Sequence, residues 1–145
     1  MGKAKASPRR PGGVEDHAVN NFWRFWFPVL LYIALIFTVS SIQNLRVPNF
    51  PGLSDKLVHG CEYGILGFLV VRALRGTTVA SSVPAALIAI LLGLGVALAD
   101  ELYQAYVPGR QSDPLDFAAD ATGLAVSALL FFLLRATQRK GARRR

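Results

Sequence analysis

Apolar positions in this chain come in long unbroken runs rather than in stripes. Trp23–Ile42, Leu57–Leu74, Val83–Ala99 and Leu115–Leu134 are predominantly apolar, and each approaches the roughly 20 residues that a helix rising about 1.5 Å per residue needs to cross a bilayer core. The pattern predicts an all-α fold, an integral membrane bundle of four transmembrane helices. Short connections make sequential helices antiparallel neighbours. The expected organisation is a disordered basic tail over residues 1–21, a membrane domain over 22–135 and a second basic tail over 136–145. The first tail is rich in Gly, Pro, Lys and Arg and lacks the apolar core and small-residue cleavage site of a signal peptide.

Charge orients the bundle. Lys3, Lys5, Arg9, Arg10 and Arg24 precede or open the first span, Arg72 and Arg75 close the second, and Arg135, Arg139, Lys140, Arg143, Arg144 and Arg145 follow the fourth. Only Arg46, Lys56 and Arg110 fall on the opposite side. By the positive-inside rule both termini are expected in the cytoplasm. The same distribution explains the net charge of +7 without nucleic acid, for which no motif interleaves basic and aromatic residues. Membrane lipids are the first partners implied. Cys61 is the sole cysteine, which excludes an intrachain disulfide and reads as a small packing residue. No Gly-rich phosphate loop is present, and the residues name no particular cofactor.

Against this apolar background the acids stand out. Of nine Asp and Glu residues, Asp55, Glu62, Asp100, Glu101, Asp113, Asp116 and Asp120 gather at one set of span ends, with Lys56, His59, Gln104 and Arg110 among them. Ionisable groups in or beside a membrane span are expensive and mark a candidate site. On the second span, Ser54 can cap the start, and Asp55, His59 and the Glu62/Tyr63 pair share a face beside Gly60, Gly64 and Gly67, where a neighbouring backbone can approach. On the third, Asp100 and Gln104 lie one turn apart. There Asp100 and Glu101 meet the negative end of the helix dipole, so a cation is expected to answer them: Arg110, His59, Lys56 or a metal. Pro108-Gly109 ends that helix.

The fourth span opens with Asp113-Pro114-Leu115-Asp116, an N-cap followed by proline at the first helical position. Asp113 reads as a cap. Asp116, Asp120, Gly123 and Ser127 continue along one face, and capping does not account for Asp120. Tyr103, Tyr106, Trp23 and Trp26 read as anchors at the head-group level.

Together these residues carry a resemblance. Asp55-Lys56-x-x-His59-x-x-x-Tyr63, Asp100-Glu101-x-x-Gln104, Pro108-Gly109-Arg110, and Asp116 ahead of Gly123 are similar to the pattern of the VanZ-like family over roughly residues 25–134. One position departs: Asp120 stands where that pattern usually has Asn. The resemblance implies a small multi-pass bacterial plasma-membrane protein from a family whose founding member is linked to teicoplanin resistance. It implies no settled biochemical activity.

Three readings of the cluster follow. As an intramembrane enzyme on a lipid-linked envelope substrate, His59 would be general acid or base, oriented by Asp55, Asp100 or Asp116, with Arg110 and Lys56 on an anionic head group. A metal version would use His59 with Glu62, Asp100, Glu101, Asp116 or Asp120, an oxygen-rich set suited to a hard or borderline ion. As a binder, Lys56, Glu62, Tyr63, Glu101, Gln104, Arg110 and Asp120 would hold a lipid-linked cell-wall precursor or a glycopeptide. As a structural network, the same groups would satisfy one another and fix the helix packing.

Overall fold

The computed structural model describes residues 13–43, 53–78, 82–110 and 112–142. Among these residues the chain forms five helices and no strand: α1 Gly13–Phe25, α2 Phe27–Ser40, α3 Leu53–Thr77, α4 Ser82–Gln104 and α5 Pro114–Ala142. Helices α1 and α2 form one interrupted span. The candidate membrane spans are Val19–Ser40, Asp55–Thr77, Val83–Gln104 and Pro114–Leu134, so the four apolar runs are recovered with their polar ends included in the helices.

The interruption in the first span has a local cause. Pro28 lacks an N–H, which leaves the Arg24 carbonyl one turn back without its helical donor. The Arg72 guanidinium of α3 reaches that carbonyl at 3.5 Å and lies 5.1 Å from the Phe25 ring centroid. Nearby, the Trp26 indole N–H donates to Thr77 Oγ1 at 3.1 Å, fixing this end of α2 against α3.

Helix boundaries differ from expectation where the sequence contains no breaker. Residues 14–27 hold neither Gly nor Pro, and α1 accordingly starts at Gly13, within the stretch assigned to a polar tail. Likewise α5 continues past residue 135 to Ala142. Residues 1–12 and 143–145 of the expected tails lie outside the described residues. Ser54, expected to cap α3, is instead in its first turn, since the helix starts at Leu53.

Small residues face inward and leucines face outward. Ala73, Ala85, Ala86, Ala89 and Ala97 are buried, whereas Leu31, Leu87, Leu91, Leu98 and Leu129 are more than half exposed. In water this arrangement would be unfavourable. In a bilayer the outward leucines meet chains as apolar as themselves, and small interior residues let helices pack by dispersion at short distance. Cys61 is exposed, contrary to the expectation of a packing residue.

The closest packing joins α3 and α5, which are not sequential. Both start at the same end and run parallel, with Gly60 beside Ala119 and Gly64 beside Gly123. A Cβ at Gly123 would lie 2.0 Å from the Gly60 carbonyl oxygen and 2.9 Å from Gly64 N. The next residue, Leu124, fills the space between helices: a Cβ at Gly67 would be 3.1 Å, and one at Gly93 2.3 Å, from Leu124 Cδ2. One leucine thus packs against α3 and α4 at glycines on both.

Candidate functional site

The start of α3, the end of α4 and the start of α5 come together at one end of the bundle. Parallel packing of α3 on α5 aligns the face Asp55, Lys56, His59 with the face Asp113, Asp116, Asp120. Lys56 Nζ donates to Asp113 Oδ2 at 2.6 Å and also pairs with Asp116 Oδ1. One turn deeper, His59 Nδ1 is 3.1 Å from Asp120 Oδ1, while its Nε2 lies 4.0 Å from Asp116 Oδ2. Asp120 is fully buried and His59, Asp116 and Glu101 nearly so.

Asp113 does two things at the helix boundary. Its Oδ1 accepts the Leu115 N–H at 2.9 Å, which is the cap the sequence predicts, and its Oδ2 holds Lys56. The lysine, and after it the Leu115 N–H, keep the Asp113 carboxyl below the usual carboxylate range.

Helix α4 supplies the third wall. Asp100 accepts from Gln104 Nε2 at 2.9 Å, and the same amide reaches Ser40 Oγ of α2 at 3.3 Å. Glu101 Oε2 accepts the Ser112 hydroxyl at 2.9 Å and the Asp113 N–H at 3.0 Å. The chain reverses tightly enough to bring Ser112 and Asp113 back over Glu101, so the end of α4 receives neutral donors, and of the expected cations the His59 imidazole comes within 4.8 Å of Glu101. Tyr103 also does more than anchor: its hydroxyl pairs with Ser41 Oγ at 2.9 Å.

That reversal is built on Pro108-Gly109. The Arg110 N–H donates to the Val107 carbonyl at 3.1 Å, and Gly109 has φ 81°, the left-handed geometry that a type II turn requires after its proline. The turn returns Arg110 toward the cluster. Arg110 and His59 are both close enough to Glu62 to act on its charge, as are Asp100 and Asp120. Tyr63 is fully buried in the field of Asp100, Asp120, Glu62 and Glu101.

All eleven residues singled out from sequence thus fall in one region. Two participants were missed, Ser40 and Ser112. A serine after an apolar run carries no periodic signal, and Ser112 becomes visible only once the turn closes. The cluster is incomplete in its internal pairing. Tyr63 Oη, Asp100 Oδ1, Glu101 Oε1, Arg110 Nε and Asp120 Oδ2 are buried without a hydrogen-bond partner. Seven carboxyl side chains here meet two permanent cations, Lys56 and Arg110, and one imidazole. Two sets of ligand atoms, Asp55–His59–Asp116 and His59–Glu101–Asp120, each lie within 4.8 Å of one another. Such a site can hold a polar ligand, position an imidazole for proton transfer, or gather a cation.

Comparison with known proteins agrees with the resemblance read from the motifs. The sequence model of the VanZ/LLP1 family matches residues 13–135. That range covers most of the chain and begins with α1. No curated protein matches the chain, and no solved structure does. The chain belongs to the VanZ/LLP1 family and, with its four candidate spans, is a multi-pass membrane protein.

Proposed function

We propose that this VanZ/LLP1 family member binds, at the outer leaflet of the bacterial plasma membrane, the polar head group of a lipid-linked cell-envelope ligand, and thereby contributes to tolerance of teicoplanin-type glycopeptides. The outer placement rests on the positive-inside count, which assigns both termini to the cytoplasm and the acid-rich end to the other face. One observation carries the reading: five buried polar atoms in the cluster have no protein partner. At about 1–3 kcal/mol for each unsatisfied group, the total is comparable with the roughly 5–15 kcal/mol that stabilises a whole domain. A purely structural network would close on itself. An external ligand or water must complete this one.

The roles within the site follow from pairing. Lys56 is already held by Asp113 and Asp116, so the anion contact falls to Arg110. Tyr63 Oη and the free carboxylate oxygens suit hydroxyl and amide groups, which sugar- or peptide-bearing head groups present in number. The 3.1 Å contact between His59 and Asp120 favours a second reading, in which a carboxylate orients the imidazole for acid–base chemistry on the same ligand.

The test is the inhibitory concentration of teicoplanin for a sensitive Gram-positive host expressing the wild type, Arg110→Gln, His59→Ala or Asp116→Asn, with membrane abundance matched. Protection by the wild type that is lost in abundant variants is the expected result. Wild-type protection retained in all three variants would remove the cluster from the activity, and no protection by abundant wild type would remove the glycopeptide role. Conversion of a lipid-linked precursor by purified protein would favour catalysis over binding.

A further inference from the structure

The cluster holds more negative charge than its own cations balance, and the excess is greatest where burial is deepest. Lys56 stands at the mouth, between Asp113 and Asp116. One turn further in, His59 near the start of α3, Glu101 in the last turn of α4 and Asp120 near the start of α5 are all buried. Each offers an atom within 4.8 Å of the others. Glu101 Oε1 and Asp120 Oδ2 have no donor, although Glu101 Oε2 and Asp120 Oδ1 are both engaged.

A second observation is independent of the acids. Tyr63 is completely buried, its hydroxyl has no hydrogen-bond partner, and it sits within the field of Asp100, Asp120, Glu62 and Glu101. A lone phenol among carboxylates would be expected to donate to one of them. Its hydroxyl is a further buried polar group of the same cluster that no protein atom completes.

We propose that His59, Glu101 and Asp120 bind a divalent cation of the manganese or zinc type. One imidazole with two carboxylates is a borderline donor set, softer than the all-oxygen cages of calcium and harder than thiolate sites. The 3.1 Å between His59 Nδ1 and Asp120 Oδ1 is the separation of two donors about 2.1 Å from one ion at near-right angles. Asp116, 4.0 Å from His59 Nε2, then stands where an outer carboxylate steadies a metal-bound imidazole. The competing set Asp55–His59–Asp116 is the weaker candidate, because Lys56 already occupies Asp116. A bound dication also supplies the positive charge that an anionic head group would need in this acid-rich end. The metal site nevertheless stands without that ligand.

Mn2+ titrated into untagged full-length protein in detergent micelles, followed by loss of the free-ion electron paramagnetic resonance signal, tests the assignment. The expected result is one ion bound per chain, with Zn2+ competing. Asp120→Asn, Glu101→Gln and His59→Gln should each weaken binding at least about 100-fold, since loss of even an outer-shell partner costs about 10- to 100-fold. Gly95→Ala, where a Cβ meets nothing within 4 Å, should bind as the wild type does. Far-UV circular dichroism confirms that each variant is folded. Absence of saturable Mn2+ or Zn2+ binding by folded wild type overturns the proposal and leaves His59 and Asp120 as a self-contained pair. Binding unchanged in the three folded variants overturns it as well, placing the ion on other carboxylates. Neither outcome touches the head-group reading, which is measured in cells.

Discussion

The sharpest structural expectation concerns Gly123, where two parallel helices cross at backbone distance. Replacing it by alanine would put a methyl carbon 2.0 Å from the Gly60 carbonyl oxygen, 2.9 Å from the Gly60 carbonyl carbon and 2.9 Å from Gly64 N. All three are main-chain atoms, so no side chain can rotate away. Restoring ordinary contact at 3.4 Å requires α3 and α5 to part by about 1.4 Å, more than the roughly 0.5–1 Å gap that already forfeits a quarter to a half of the dispersion attraction between facing atoms. Overpacking of this kind costs about 1–3 kcal/mol. The same movement stretches the 3.1 Å His59–Asp120 contact one turn away, and losing a charge-assisted hydrogen bond adds about 1.5–3 kcal/mol. Together these make the expected loss for Gly123→Ala about 2.5–6 kcal/mol, less the roughly 1 kcal/mol that alanine gains over glycine in a helix.

Neighbouring glycines provide the internal comparison. A Cβ at Gly60 would meet Ala119 O at 3.4 Å and one at Gly64 would meet Gly123 O at 3.5 Å, while Gly95 has open space. Alanine is favoured over glycine in a helix by about 1 kcal/mol, so Gly95→Ala should be neutral or stabilising and Gly60→Ala and Gly64→Ala close to neutral. Unfolding in mixed micelles of increasing dodecyl sulfate fraction, read by circular dichroism, gives the order. Gly123→Ala as stable as wild type, or Gly95→Ala equally damaging, would refute the claim that backbone approach limits this interface.

Other expectations follow from the polar end. Lys56→Met leaves buried Asp116 without its cation, and since Lys56 is itself partly exposed the cost should be about 1–3 kcal/mol in the same unfolding assay; an unchanged midpoint would mean that water already serves that carboxylate. Because Lys56 and the Leu115 N–H lower the Asp113 pKa from 3.8, the stabilisation from Asp113 is present above that ordinary value and fades as pH falls through the lower folded value. The midpoint difference between wild type and Asp113→Asn should thus shrink on acidification below about pH 4, and a difference that grows would reverse the assigned sign. Gly109→Ala must adopt φ 81° with a Cβ, at about 1–2 kcal/mol, and should also reduce protection in the teicoplanin assay through Arg110. Gln104→Glu sets a carboxylate against Asp100, so it should destabilise more than Gln104→Leu at pH 7 and recover in acid; equal effects would show that Gln104 acts by shape alone.

Much of the fold was legible because a bilayer makes strict demands. Four apolar runs of sufficient length sufficed for four spans, and the small-residue steps at Gly60, Gly64 and Gly67 marked a close helix contact. Their partner was not legible: Gly123 was visible only as one member of the Asp116–Asp120–Gly123–Ser127 face, and nothing local says that this face meets α3 rather than α4. Helix ends were the weaker part, since a run such as residues 14–21 is polar enough to read as a tail yet contains no breaker. In the site, spacing identified every charged participant because ionisable residues are rare in a span. What spacing could not convey was pairing. The helix dipole points to a cation near Asp100 and Glu101 but says nothing of the neutral donors that a three-dimensional turn delivers, Ser112 and an N–H to Glu101, or of the bond from Gln104 to Asp100.

Packing and chemistry are inseparable on α5. Asp116 and Asp120 project toward α3 from the same face as Gly123 and Ser127, so the glycine that lets the backbones touch also sets how near His59 comes to its two carboxylates. A wider crossing would admit lipid chains or water between the helices and remove the reason for burying charge there. At the crossing of Gly123 with Gly60 and Gly64 there is room for neither, and a low-dielectric setting strengthens the polar contacts beside it while making each unsatisfied atom costly. On the proposed binding role, rigid placement by Gly123 would supply position, and the buried oxygens left unpaired beside it would supply affinity for the ligand that completes them. A purely structural role would give Asp120 no advantage over an apolar or neutral residue, since replacing a buried ion pair by well-packed apolar groups is often neutral or stabilising, so an Asp120→Asn variant that keeps its stability but loses protection in the teicoplanin assay would separate the two roles.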